Sequence, residues 1–286
     1  MARIPNIGFA NERSPLEGFD CFSLESLFMR HMEGLDHDPY QPHRVDFYVL
    51  LWVGKDWVSH TLDFREYTVG GGETLLITKG QVHAFDATSK YQGYVVLFTE
   101  EFLIQHVPPS TRQLVRELAN YHLSRPQVPT PLSFSQHLEP LLEEVAHPNH
   151  GQAQMVGAWL SMLLITMKRA QPKQRLALTA DVHYSLFEQF RQQVENQYSH
   201  TRDAKAYAET IGISYKHLNE VSKKFTGKTA KAFIDQYVVL ESKRLLTSTL
   251  QSVKEIAYQC GFDEPTNFLK YFKNLTGMTP HQFRER

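Results

Sequence analysis

Apolar and polar residues alternate along this chain in two rhythms, and the change of rhythm divides it. From His43 the period is close to two, through HRVDFYVLLWVG, KDWVSHTLDFREYTV, ETLLITKGQVHAF and YQGYVVLFTEEFL. These runs are rich in Val, Tyr, Phe, Thr and Leu and are separated by turns bearing Gly54, Gly70–Gly72 and Gly80. They predict short strands, and strands at this spacing predict a small antiparallel barrel or jelly roll. Phe47, Val49, Leu51 and Val53 alternate with Tyr48, Leu50 and Trp52, so one of the two rows is expected to face inward. Residues 1–42 carry four prolines and one candidate strand, Cys21 to Phe28.

Past Pro108 the period becomes helical. TRQLVRELANYHL sets Leu114, Leu118 and Tyr121 on one face, and Ser133 to Val145 follows as a second helix. Gln152 to Arg169 is long and apolar, with Met155, Val156, Trp159, Leu160, Met162, Leu163 and Met167. A helix of this kind covers its own barrel or pairs with a second subunit. The proline and basic residues of AQPKQRLALTAD mark residues 170–181 as the expected linker. Beyond it the pattern predicts helices at Tyr184 to Tyr198, Ala204 to Ile211, Ser214 to Phe225, Thr229 to Ser248, Ser252 to Cys260, Glu264 to Leu275 and Pro280 to Arg284.

The last third contains a duplication. IGISYKHLNEVSKKFTGKTAKAF lays onto CGFDEPTNFLKYFKNLTGMTPHQF. Ala208 and Gly212 match Ala257 and Gly261 at 49 residues' distance; Leu218, Gly227, Thr229 and Phe233 match Phe268, Gly277, Thr279 and Phe283 at 50. Each copy reads as helix, glycine turn, helix, glycine stop, which is a helix-turn-helix. The expected joining helix of 20 residues, Thr229 to Ser248, is about 30 Å long at ~1.5 Å per residue. One turn of duplex is roughly 34 Å, so two such helices can reach successive major grooves of double-stranded DNA.

In the first copy Leu218, Val221 and Phe225 are expected inside, leaving Tyr215, Lys216, Asn219, Glu220 and Lys223 toward the groove. In the second, Phe268, Tyr271, Phe272 and Leu275 are expected inside, leaving Pro265, Thr266, Asn267, Lys270 and Asn274. Asn pairs with adenine and Lys with guanine. Lys223, Lys224, Lys228, Lys273 and Arg284 are assigned to phosphate, where they fix register without reading sequence.

Charge agrees in sign. Residues 1–180 carry 15 Lys and Arg against 19 Asp and Glu, and residues 181–286 carry 15 against 12. No apolar run reaches the ~20 residues of a membrane span, and the N-terminus lacks the apolar core of a signal peptide. Cys21 and Cys260 lie in different halves, which argues against a disulfide framework and for a reducing, cytoplasmic setting.

IAYQCGF, FLKYFKN and TGMTPHQFR resemble the double helix-turn-helix domain of the AraC/XylS transcription regulators. HRVDFYVLLWV, ETLLITKGQVHAF and GYVVLFTEEFL resemble, more loosely, the cupin-like effector and dimerisation domain of that family. The resemblance implies a two-domain α+β fold: a cupin-like barrel with following helices over 1–170, a linker over 171–181, and an all-α DNA-binding domain over 182–286. It also implies promoter binding, usually as an activator recruiting RNA polymerase, often under a small organic effector, with a homodimer formed through helices within 111–170. Two departures stand out: Glu220 where relatives often carry a basic or amide residue, and Val238 in place of a common arginine.

Ten of fourteen histidines precede residue 151, which makes the barrel a candidate for metal chemistry. Gly72, Gly80 and His83 resemble the second ligand motif of a metal cupin, but Val45 stands where the first motif needs a histidine, and His60 is isolated in sequence. A first-row metal wants three or four protein ligands, so no metal, cofactor or catalytic residue is expected. A metal-dependent cupin enzyme with an appended DNA-binding module, and a regulator without effector, are the alternatives. The candidate effector residues are His43, Arg44, Tyr48, Trp52, Trp57 and His83, with His43 and Arg44 placed to neutralise a carboxylate.

Overall fold

The computed structural model describes residues 4–10, 16–34, 37–119, 127–130, 133–172, 177 and 181–285. The chain forms two compact units, Pro5–Lys173 and Gln174–Arg286 together with Met1–Ile4. Most of the expected linker, 173–176 and 178–180, lies outside the described residues, as does Tyr121.

The first unit holds strands β1 (Asn6–Ile7), β2 (Phe19–Ser23), β3 (His43–Val45), β4 (Tyr48–Val53), β5 (Trp57–Leu62), β6 (Arg65–Gly70), β7 (Glu73–Ile77), β8 (Val82–Phe85), β9 (Gly93–Phe98) and β10 (Gln127–Pro129). They make two five-stranded sheets, ordered β1-β3-β8-β5-β6 and β10-β7-β4-β9-β2. The pairing is antiparallel except at one edge, where β1 runs parallel to β3. The expected strand at Cys21 to Phe28 stops at Ser23, whose hydroxyl accepts the Ser26 N–H at 3.1 Å and opens helix α1 (Leu24–Met32).

Sequence reasoning required one row of β4 to face inward; the structure buries both. Val49, Leu51 and Val53 join Val58, Leu62, Val69, Leu75, Ile77 and Phe85 in the core between the sheets. Leu50 turns the other way, with Tyr48 and Trp52 half-buried beside it, under helices α2 (Glu100–His106), α3 (Pro109–Leu118), α4 (Ser133–Ala146) and α5 (Gln152–Ala170). A strand covered on both faces reads as a continuous apolar run, which is what YVLLWV is. On α5, Val156, Leu160, Leu163, Leu164 and Met167 are fully buried, whereas Met155 and Met162 remain 46% and 40% exposed. Gly157 lets α5 approach α2: a Cβ there would lie 2.2 Å from the His106 carbonyl oxygen.

In the second unit, helices α6 (Tyr184–Gln197), α7 (Ala204–Ile211), α8 (Tyr215–Thr226), α9 (Ala230–Ser248), α10 (Val253–Gln259), α11 (Pro265–Thr276) and α12 (Pro280–Arg284) follow the predicted order. Side chains of Asp203, Ser214, Thr229, Ser252 and Thr279 cap their N-termini. Helix α9 is buried around most of its circumference, by Phe233, Ile234, Val238, Val239, Leu245 and Leu246 among others. Val238 is fully buried, so the departure from arginine there fills core. The rings of Phe187, Phe190, Phe225 and Phe233 meet at 5.2–5.7 Å and bind α6, α8 and α9 together. Among the described residues no helix is long and apolar enough to cross a membrane.

Candidate nucleic-acid interface and effector site

The two helix-turn-helix units are α7–α8 and α10–α11. Each second helix buries the predicted core: Leu218, Val221 and Phe225 on α8, Phe268 and Phe272 on α11. Each ends at a left-handed glycine, Gly227 and Gly277, whose N–H bonds back to Lys223 and Lys273.

On α11 the side chains of Thr266, Asn267, Lys270, Lys273 and Asn274 are exposed, and Pro265, the first helical residue, is half-buried. Residues 266, 267, 270, 273 and 274 share one helical face. Leu275, expected inside, is 49% exposed. Tyr271 is half-buried because its hydroxyl donates to the Asp235 carboxylate at 2.7 Å, fastening α11 to α9; burial pushes that phenol well above the usual tyrosine range.

On α8, Tyr215 is 42% exposed, and Lys216, Glu220 and Lys223 are exposed as expected. Two further residues, Asn219 expected toward the groove and Lys224 assigned to phosphate, are engaged within the protein. Asn219 accepts the Ala230 N–H at 3.0 Å and donates to the Tyr215 carbonyl at 3.1 Å. Its amide therefore spans from α8 to the first turn of α9. Lys224 lies 2.5 Å from the Asp181 carboxylate, and hydrogen bonding to Lys224 holds that carboxyl down at about 2. Arg284, assigned to phosphate, instead donates from Nε to the Leu246 carbonyl at 2.9 Å and ties α12 to α9. Lys228 is exposed and bonds Gln236 at 2.7 Å.

Sequence reasoning missed Arg202. It donates to the carbonyls of Cys260 and Gly261 at 3.1 and 2.7 Å, and its guanidinium lies 3.8 Å from the Phe262 ring centroid. Nothing in the local pattern before α7 announces a contact 58 residues downstream.

In the first unit the six candidate effector residues do not converge. Tyr48 and Trp52 lie on the helix-covered face: Tyr48 donates to Glu100 at 2.6 Å and stacks on Phe98, and Trp52 stacks on Tyr94. Trp57 is 72% exposed and covers Gly70. Arg44 runs along Gly80. Only His43 and His83 meet, across the β3–β8 pair, with ring centroids 4.1 Å apart.

The residue that joins them is His60. It is isolated in sequence but brought beside His83 by the β5–β8 pairing, at 5.3 Å between ring centroids. Burial drives the pKa of His43 down to about 4 and that of His60 to about 3, and holds His83 well below the usual range. All three are therefore neutral at pH 7, and their neighbours fix the tautomers. Tyr91 donates its hydroxyl proton to the Ser59 carbonyl and accepts the Asp86 N–H. His60 must then donate from Nδ1 to Tyr91 (3.4 Å), leaving Nε2 to accept from His83 Nδ1 (3.3 Å). His83 Nε2 is left as a bare lone pair, buried without a partner. His43 donates from Nδ1 to the Gln41 carbonyl at 2.9 Å, so its Nε2 is an acceptor too. The cluster offers lone pairs, not protons. No group of three or more His, Cys, Asp or Glu among the described residues is arranged to hold a metal ion.

Residues 28–186, more than half the chain, match the model of the AraC-like ligand binding domain, and residues 207–286 match a helix-turn-helix domain. The chain belongs to the AraC family of transcription regulators. Relatives include the HTH-type transcriptional activator RhaS of Salmonella paratyphi A, 22% identical over 246 residues, covering 86% of this chain and 88% of RhaS. RhaS of Salmonella arizonae is 23% identical over 247 residues, at the same coverage. Among solved structures, unsaturated fatty acid-bound ToxT from Vibrio cholerae is 14% identical, with a TM-score of 0.47 over 95% of this chain and 96% of ToxT. The C-terminal domain of the response regulator yesN from Fusobacterium nucleatum is 27% identical, with a TM-score of 0.33 over 35% of this chain and 98% of its own. As an AraC-family member the chain is a sequence-specific DNA-binding transcription regulator, with an N-terminal ligand-binding domain and a C-terminal helix-turn-helix domain.

Proposed function

We propose that this regulator is a cytoplasmic transcriptional activator that reads two successive major grooves with α8 and α11 and recruits RNA polymerase. The exposed face of α11 carries the reading: Thr266, Asn267 and Lys270 are turned outward while the aromatic residues behind them hold the helix. Base contacts fall to Lys216, Thr266, Asn267 and Lys270, and phosphate contacts to Lys223 and Lys273. Tyr215, Pro265 and Asn274 flank them, and Asn219 and Lys224 act as internal supports. Residues 1–170 form the effector and dimerisation domain, 171–181 the linker and 182–286 the DNA-binding domain. The stripe Met155, Trp159 and Met162 on α5 is the dimer face within 111–170.

On this reading Lys270→Ala relaxes preference at one base position, whereas Lys273→Ala weakens binding to all sequences alike and lowers the salt slope by about 1. Titrations of duplex variants at several salt concentrations separate the two. Identical behaviour of both variants rejects the assignment.

The barrel's effector is, on the same reading, a small organic molecule that donates a hydrogen bond to His83 and His43, in place of a carboxylate neutralised by His43 and Arg44. The bare acceptor nitrogens support this choice. Effector binding shifts the population of DNA-competent molecules. Native mass spectrometry of chain purified from its own host identifies any retained molecule; a retained carboxylic acid sinks the donor assignment. No catalytic role is assigned.

A further inference from the structure

We infer that Arg202 is a positioning residue that sets the base-reading register of the second helix-turn-helix from the doorway of the first. Arg202 lies in the connection between α6 and α7, immediately before Asp203, whose carboxylate accepts the Lys205 N–H at 2.9 Å and starts α7. The same dipeptide thus opens one unit and holds the turn of the other. At the end of α10 the carbonyls of Ile256, Ala257 and Tyr258 accept from the backbone N–H groups of Cys260, Phe262 and Gly261, and the carbonyls of Cys260 and Gly261 lie beyond the helix, in the turn itself. Arg202 supplies their donor, from Nη1 to both Cys260 and Gly261. A cation there also suits the negative end of a helix.

The turn has nowhere else to go. A Cβ on Gly261 would lie 1.9 Å from the Ser199 carbonyl oxygen, so the backbone of the turn sits directly against the segment that carries Arg202. From there the contact continues into the reading helix. The guanidinium covers Phe262, and the Phe262 ring meets Phe268 at 5.3 Å and Tyr271 at 5.1 Å, both on α11. Arg202, Phe262 and Phe268 form a continuous line of contacts, cation over ring and then ring edge to ring face, from the α6–α7 connection to the back of α11. Hydrogen bonds to base edges weaken steeply as their angles open, so the pose of α11 determines whether Asn267 and Lys270 discriminate among bases. Arg202 needs no DNA contact to control that outcome.

The inference rests on α11 reading bases, and the test separates the two. The full-length wild type first selects a bipartite duplex from a randomised pool. The half whose preference Lys270→Ala relaxes is the α11 half. Arg202→Ala, Arg202→Lys and Phe262→Leu are then titrated against duplexes altered in one half at a time, with thermal melting followed in parallel. Arg202→Ala is expected to lose about tenfold of discrimination in the α11 half, on the scale of one bidentate base contact, while the other half keeps its preference. Arg202→Lys recovers part of the loss, because an ammonium reaches a carbonyl but cannot lie flat on the ring. Phe262→Leu keeps the core apolar, removes the ring, and is expected to give the same one-sided loss if Arg202→Ala proves too unstable to assay. Unchanged discrimination, or equal loss in both halves, overturns the role of Arg202 alone. A wild-type site in which Lys270→Ala relaxes nothing overturns the reading of α11 and this inference with it.

Discussion

The two helix-turn-helix units share a sequence pattern but are held in different ways, and the difference lies in their turns. In the first, Gly212 caps α7 at φ 78°, and a Cβ there would meet nothing within 4 Å. In the second, Gly261 at φ 77° is pressed against the Ser199 carbonyl and bonded by Arg202. The first unit is secured farther on, where Asn219 ties α8 to α9 and Asp181 holds Lys224. The second matches these two positions with Leu269 and Asn274, and Tyr271–Asp235 makes the connection to α9. Duplication of a pattern thus preserved the fold while each copy acquired its own fastenings, and the fastenings decide which polar residues remain for DNA.

The largest test of this contrast is a matched pair of substitutions. Gly261→Ala must displace backbone as well as adopt a strained φ, and is expected to cost at least about 3 kcal/mol. Gly212→Ala meets only the backbone penalty of about 1 kcal/mol. Denaturant melts of the two variants compare them directly, and equal losses would dissolve the distinction between the turns.

Next in size is the amide pair. Asn219→Ala leaves the Ala230 N–H without its side-chain acceptor and is expected to lower stability by about 1–2 kcal/mol. Asn267→Ala, on an open helical face, should stay within about 0.5 kcal/mol of the parent yet change base preference on a duplex panel. The reverse pattern would exchange their roles.

The smallest effect concerns the tether on Lys224. Asp181→Asn frees that cation, and affinity for any duplex is expected to rise a few-fold at low salt, with a salt slope steeper by about 1. The sign with pH follows from the depressed carboxyl. Its folded value is about 2 against an ordinary 3.8, so the tether is complete above about pH 4 and is lost only as pH falls toward 2. Binding measured between pH 5 and 8 should therefore show no step from this pair. A step there, abolished by Asp181→Asn, would assign the pairing wrongly.

The helical half was legible because its signals are local. Caps at Ser214, Thr229 and Thr279, glycine stops at Gly227 and Gly277, and apolar spacing along α8 and α11 all act within a few residues. What escaped depends on distant segments. Nothing near Asn219 shows that the Ala230 N–H will need an acceptor, and Leu275 has the right spacing for core but no neighbour to cover it. In the barrel, alternation announced strands and the helical period three of the four helices beside them, but not that these helices bury the second face of β4. His60 appeared isolated because only sheet register brings it to His83. Tyr48 and Trp52 belong to the row of β4 that alternates with Val49, Leu51 and Val53, so the pleat turns them toward the helices and not into the space between the sheets.

Helices α8 and α11 are not copies of each other on their outer faces: Tyr215, Lys216, Glu220 and Lys223 stand on one, Thr266, Asn267, Lys270 and Lys273 on the other. A site read by both has a head and a tail. Reversing that site relative to a gene would turn the bound protein end for end, so the chain carries within one molecule the information about which way to face.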